Sequence, residues 1–187
     1  MLYNPLVHEP WLFCPDLRTG PLVIDDTEAR HALGSLRLRA GDALTLFDGR
    51  GHIARAALAI HESPTAAARA HQSKRRQGAA VVVESISDVP AQDRTLTLLV
   101  AACKGPRLDW LIEKCTELGV TRIVLTEFAR SVVHTGPQHT EKLRRTAIEA
   151  CKQCGRAWLP LIETGVTLAN ARDAAGALAD LPRTRIF

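Results

Sequence analysis

Aromatic residues are scarce: three Trp, four Phe and one Tyr make up 4% of the 187 residues. They cannot fill a core, so Leu, Val, Ala and Ile must, and a 46% hydrophobic content is enough for it. The chain has no apolar run of the ~18 residues that a membrane helix needs. Its opening, MLYNPLVHEPWLF, has no basic segment followed by an apolar one, so no secretory signal is expected. The five cysteines, an odd number spread through apolar segments, fit a reducing cytoplasm. Cys151 and Cys154 form a lone C-x-x-C with no second pair and no nearby His pair, and are expected to be two small buried thiols. No excess of either charge is large: 24 Lys and Arg against 20 Asp and Glu leave +4, a mild lean towards an anionic partner.

The stretch Lys104 to Val120 organises the rest. Leu108, Leu111, Ile112, Cys115 and Leu118 recur on one helical face, Asp109 suits the positive end of the helix dipole, and Gly119 is placed as the C-terminal cap. An apolar run precedes it (Thr95 to Cys103) and another follows (Arg122 to Thr126), which predicts a βαβ unit with parallel strands. Ligands of such sheets collect at the carboxyl ends of the strands, here Lys104-Gly105 and Glu127 to Arg130.

Residues 1–88 read as short strands broken by turns, a pattern that predicts a small β-barrel. Asp25 or Thr27 is placed to cap a short helix running through His31 and Leu33. In LRLR, Leu36 and Leu38 alternate with Arg37 and Arg39, which predicts a strand with both arginines on one face. Ala40-Gly41-Asp42 is a turn, Leu44 to Phe47 a strand, and Asp48-Gly49 a hairpin signal before a partner strand from His52 to Ile60. Ser63 to Gly78, with Arg69, Lys74, Arg75 and Arg76, is either a basic arm for phosphates or a solvated loop. Ala80 to Ile86 reads as a closing strand and Ser87 to Arg94 as a linker.

From Thr95 strand and helix alternate. Thr140 is placed to cap a helix with Leu143, Ala147, Ala150, Cys151 and Cys154 on its apolar side, and Gly155 to end it. Leu159 to Glu163 reads as a third strand, Thr167 to Leu181 as a helix and Arg183 to Phe187 as the start of another strand. A strand begun and not followed by a turn is expected of a chain cut short.

Several stretches carry a resemblance when read in order. They are His31 with Leu36, Arg37, Leu38, Gly41 and Asp42; Leu46-Phe47-Asp48-Gly49 with Gly51; Ala101, Lys104, Gly105, Arg107 and Asp109; Lys114 with Thr116 to Val120; Arg130 to Val133; and Glu149-Ala150-Cys151, Gln153 to Arg156 and Pro160. Together they resemble the bacterial 16S ribosomal RNA uridine N3-methyltransferases of the SPOUT superfamily, from about His31 to Phe187. The resemblance implies an α/β plus β architecture: a PUA-like β-barrel that binds RNA (1–88), then the first part of a SPOUT-type α/β domain with a parallel sheet (95–187). It further implies S-adenosylmethionine as cofactor, 16S rRNA of the small ribosomal subunit as partner, and a homodimer. Two motifs of the family's knot, G-P-E-G-G and L-G-x-R-I-L-R-x-E-T-A, do not occur, so this chain alone is expected neither to bind the cofactor nor to catalyse. Ala129 stands where the family has an acidic residue, and Trp11-Leu12-Phe13 lacks the arginine that opens its first strand.

On that resemblance Arg37, Arg39, Lys104, Arg107 and Arg130 are candidates for RNA binding, and Glu149, Gln153 and Arg156 for support of the cofactor pocket. No general base is assigned, and His31 and Glu117 are expected to be structural. The competing readings are an RNA-binding module without catalysis and an α/β enzyme that holds a phosphorylated small molecule at Lys104-Gly105.

Overall fold

A computed structural model describes residues 9–59, 78–128, 131, 133–167 and 170. They fall into two compact units, one within Met1–Ala91 plus Gly155–Trp158, the other within Gln92–Cys154 plus Leu159–Phe187.

In the first unit five strands form one sheet in the order β1-β3-β4-β5-β2: β1 Trp11–Phe13, β2 Gly20–Ile24, β3 Ala43–Phe47, β4 His52–Leu58 and β5 Ala79–Asp88. β1 runs parallel to β3, and the other pairs are antiparallel. Alternation buries one face: Leu44, Leu46, Ala54, Ala56, Leu58, Ala79, Val81 and Val83 share a core with Leu12, Leu22 and Ile24. Trp11 packs tilted and Phe13 edge-on against Phe47, with centroids 5.5 and 5.4 Å apart, so much of the small aromatic stock is used here. Among the described residues no pairing joins β1 to β2, so the expected barrel appears as an open sheet.

Asp25 caps α1 (Asp26–Arg30) by accepting from the backbone N–H of Thr27 and Glu28. The helix runs on into a π-helical turn, His31–Ser35. This corrects the reading of LRLR as a strand. Leu36 and Leu38 donate their backbone N–H groups to His31 and Ala32 carbonyls, which closes the turn and leaves Leu36 exposed. Arg37 has φ +56°, a left-handed conformation that no strand residue takes. Local backbone bonding has overridden the two-residue hydrophobic period.

The second unit is the expected βαβ arrangement, extended by one more crossover. β6 (Thr97–Ala101), β7 (Arg122–Glu127) and β8 (Leu161–Thr167) are parallel, in the order β6-β7-β8. α2 (Pro106–Glu117) joins the first two strands and α3 (Pro137–Cys154) the last two. Leu108 and Ile112 of α2 and Leu143 and Ala147 of α3 bury against Ile123, Leu125 and Ile162.

Leu118 is a correction: it is 81% exposed, while Thr116 is buried with its hydroxyl donating to the Ile112 carbonyl. At about 100° per residue, Leu118 lies ten residues and some 80° off the Leu108 direction, and on the side away from Ile112. Gly119 (φ +88°) ends the helix as expected: its N–H reaches the Thr116 carbonyl, and that of Val120 reaches Cys115. The second helix begins at Pro137, not after a Thr140 cap. Gly136 and His139 exchange bonds, His139 N–H to the Gly136 carbonyl and Gly136 N–H to His139 Nδ1, so His139 does the capping. Thr140 instead meets Thr164 across the crossover, 2.9 Å apart. Thr167 ends β8 instead of opening a helix; apart from Asn170, the rest of the helix expected to Leu181, the strand expected at Arg183 to Phe187 and nearly all of the basic stretch Ser63 to Gly78 lie outside the described residues.

Candidate functional site

The carboxyl ends of β6 and β7 open on a cleft of about 540 Å³, lined by Ala101, Ala102, Cys103, Lys104, Arg107, Phe128, Ser131 and Val133. The parallel pairing of β6 with β7 sets both strand ends on the same edge. Gly105, with φ +59°, turns the chain sharply into α2, so that Lys104 ends the strand loop and Arg107 opens the helix. Both cations are exposed, and neither has an ion-pair partner among the described residues. Helix dipoles point their positive ends the same way, so the edge attracts anions.

Part of the lining is a pinned turn. Phe128 N–H donates to Ser131 Oγ (2.8 Å) and Ser131 N–H to the Phe128 carbonyl (2.9 Å). Behind it, Gly165 N–H donates to Thr135 Oγ1, and the Thr164 hydroxyl donates to the Gly136 carbonyl, which fastens the β7–α3 loop to β8. Glu127 and His134 face each other beside it, Oε1 to Nδ1 3.4 Å.

The sequence-derived candidates separate into groups. Lys104 and Arg107 meet at the cleft, while Arg130 lies outside the described residues. Arg37 and Arg39 belong to the first unit, exposed on the turn before β3, where Arg39 N–H donates to Asp42 Oδ2. None of Glu149, Gln153 and Arg156 lines the cleft. α3 runs back against its strands, so Glu149 and Gln153 stand at the opposite end of the crossover from Pro137, Glu149 paired with Lys152; Arg156 belongs to the first unit. Phe128 lies within the strand end Glu127 to Arg130 where ligands are expected, and Ser131 in the stretch Arg130 to Val133, but neither is singled out by the sequence as a site residue. The available signal was an aromatic directly after a strand in a chain with few aromatics.

Other titratable groups are committed to structure. Lys114 bridges Glu113 and Glu117; those hydrogen bonds push the lysine up, and the one from Lys114 holds Glu113 below its ordinary range. Arg122 makes a two-point contact with Glu163 at 2.6 and 3.1 Å, which raises its pKa. Burial pushes the thiols of Cys14 and Cys115 up, away from reactive thiolates. Cys151 is buried as expected but Cys154 is exposed, and no cluster of three metal-ligating side chains occurs among the described residues. A larger hollow in the first unit, about 880 Å³, mixes Asp16, Asp25 and Asp26 with Arg18 and Arg30, so its charges largely cancel.

Two family models match, an RNA methyltransferase domain over residues 90–179 and an RNA methyltransferase PUA domain over 24–61. The chain belongs to this RNA methyltransferase family. It is 31% identical over 134 residues to the ribosomal RNA small subunit methyltransferase E of Synechocystis, an alignment covering 71% of this chain and 39% of that protein. Its fold superposes on the ribosomal RNA small subunit methyltransferase E of Neisseria gonorrhoeae, solved bound to S-adenosyl methionine, with TM-score 0.73 at 27% identity, over 89% of this chain and 65% of that one. A probable rRNA-methyltransferase of Porphyromonas gingivalis gives TM-score 0.68 at 28% identity, over 87% and 62%. The chain thus spans less than two thirds of the length of each of these relatives.

Proposed function

We propose that this chain carries the RNA-binding part and the front of the catalytic domain of an S-adenosylmethionine-dependent methyltransferase that acts on N3 of a uridine in 16S rRNA, in the reducing cytoplasm. The observation that carries the proposal is the cleft of Lys104 and Arg107, two cations without an ion-pair partner among the described residues, at the carboxyl edge of a parallel sheet. In this reading they hold backbone phosphates, which position the RNA without reading its sequence. Arg37 and Arg39 add phosphate contacts from the first unit. The relative bound to S-adenosyl methionine supports a methyl donor of that kind, whose chemistry is to supply an electrophilic methyl. Uracil N3 must lose its proton as the methyl arrives, so an environment that favours the uracil anion is required; cations at the edge favour it.

The described lining does not fit the cofactor itself. The donor is a sulfonium cation, whereas Lys104 and Arg107 are cations and none of the described lining residues is acidic. The proposal includes that these 187 residues alone do not bind the cofactor or turn over, since both knot motifs of the resembled family are missing from them.

Two titrations of the purified chain test this reading. A small-subunit rRNA fragment should bind with an affinity that falls steeply as salt rises; a salt-independent affinity would favour the small-molecule reading. Calorimetry with S-adenosylmethionine should give no heat of binding, and stoichiometric binding would overturn the second part.

A further inference from the structure

Phe128 is 41% exposed at the end of β7, although apolar cores in this chain are short of aromatic material. Trp11, Phe13 and Phe47 pack together within the first unit, and Trp158 lies against Gly51, also there. Among the described residues Phe128 alone of the aromatics lines the cleft, and its backbone is held on both sides by Ser131. Lys104 and Arg107 line the same cleft; the remaining lining, Ala101, Ala102, Cys103, Ser131 and Val133, is small and carries no charge. An aromatic plane, small walls and two cations at one edge match a flat base with a phosphate on either side. A cleft of about 540 Å³ lies well within the roughly 300–1,000 Å³ of small-ligand sites.

We propose that this cleft holds an unpaired nucleobase of single-stranded RNA stacked on the ring of Phe128, with Lys104 and Arg107 taking the adjoining phosphates. The inference rests on the RNA reading above and deepens it. Uracil N3 lies on the Watson–Crick edge, so it is closed to a methyl donor while the base is paired. The nucleotide must be presented unstacked, and a pinned aromatic replaces the stacking it loses. Duplex RNA offers its phosphates to the same cations but no free base face to the ring.

The test compares a short fluorescein-labelled oligouridine with a blunt-ended, loop-free RNA duplex of equal charge, using the whole chain. Phe128→Ala should weaken oligouridine binding about tenfold, leave the duplex unchanged and leave the salt dependence unchanged, since no charge is removed. Phe128→Trp should retain oligouridine affinity, and Phe128→Leu should behave as the alanine variant does. The paired variant K104Q/R107Q should lower affinity for both RNAs and flatten the salt slope by about 1.4 for the single strand. Thermal melts should be unchanged throughout, because all three side chains are exposed. Full affinity in Phe128→Ala or Phe128→Leu, with K104Q/R107Q still weakened, overturns the stacking and leaves the RNA reading standing. No effect from any of these variants overturns both at this edge.

Discussion

Asp48 is the residue on which the β3–β4 turn depends. Its buried carboxylate accepts from the backbone N–H of Arg50 and His52, from Arg50 Nε at 3.1 Å and from His52 Nδ1 at 2.6 Å. Burial alone would raise its pKa, but the bonds from His52 and Arg50 outweigh it and hold the group below the ordinary carboxylate range. A folded-state pKa below the unfolded one, about 3.9, gives stability that is present above that value and lost as pH falls through the folded pKa. Asp48→Asn should therefore cost about 2–3 kcal/mol at neutral pH and flatten the acid limb of a denaturation profile. An unchanged acid limb would show that the turn does not need the charge.

Arg37 shows a residue-scale conflict of another kind. At φ +56° it sits where side chains are strained, by roughly 1 kcal/mol. Arg37→Gly should raise stability by about 0.5–1 kcal/mol and weaken RNA binding, two effects of opposite sign in one variant. A melt and a binding curve on the same sample check both; reduced stability would mean that the arginine is held by packing.

At the scale of elements, the crossover between β7 and β8 carries the loop that walls the cleft. Gly165 has φ +69°, and a Cβ there would come within 2.9 Å of the Thr135 carbonyl oxygen, a backbone atom with little freedom. Gly165→Ala should cost about 2–3 kcal/mol through strain and contact together. It should also speed hydrogen exchange at Gly165, whose amide donates to Thr135. Unchanged exchange at this amide would mean that the loop is held elsewhere.

Elements were also what the sequence made most legible. The three parallel strands and both crossover helices follow from long periodic stretches and from Gly119 and Gly155 as stops, each with positive φ. The first four residues after the π-helical turn were misread, because an alternation so short is equally satisfied by a turn whose backbone bonds close locally. Lys104 and Arg107 were legible because strand ends of parallel sheets can be located from sequence. The Thr135–Gly165 and Thr140–Thr164 contacts were not, since they join positions 30 and 24 residues apart that no local pattern connects. Phe128 was missed for a related reason: whether an aromatic after a strand turns inward or stays out is decided by the Ser131 turn.

For the molecule as a whole, a net charge of +4 understates what an anion meets. Lys114, Arg122, Lys142, Arg145 and Lys152 are each paired with a carboxylate, so they contribute little outward field. Arg37 and Arg39 in one unit, and Lys104 and Arg107 in the other, have no ion-pair partner among the described residues. Phosphates gain most where cations are not already neutralised, because each such contact releases condensed counterions. R37Q/R39Q and K104Q/R107Q should then each reduce the slope of log affinity against log salt by about 1.4 on single-stranded RNA, and the four together by about twice that. Arg145→Gln removes a cation that Glu141 already holds, and should leave the slope unchanged. The contrast separates a field set by net charge, in which all three cationic losses scale with charge removed, from one set by unpaired cations. Equal slopes per charge removed in all three variants would sink the assignment of these four residues.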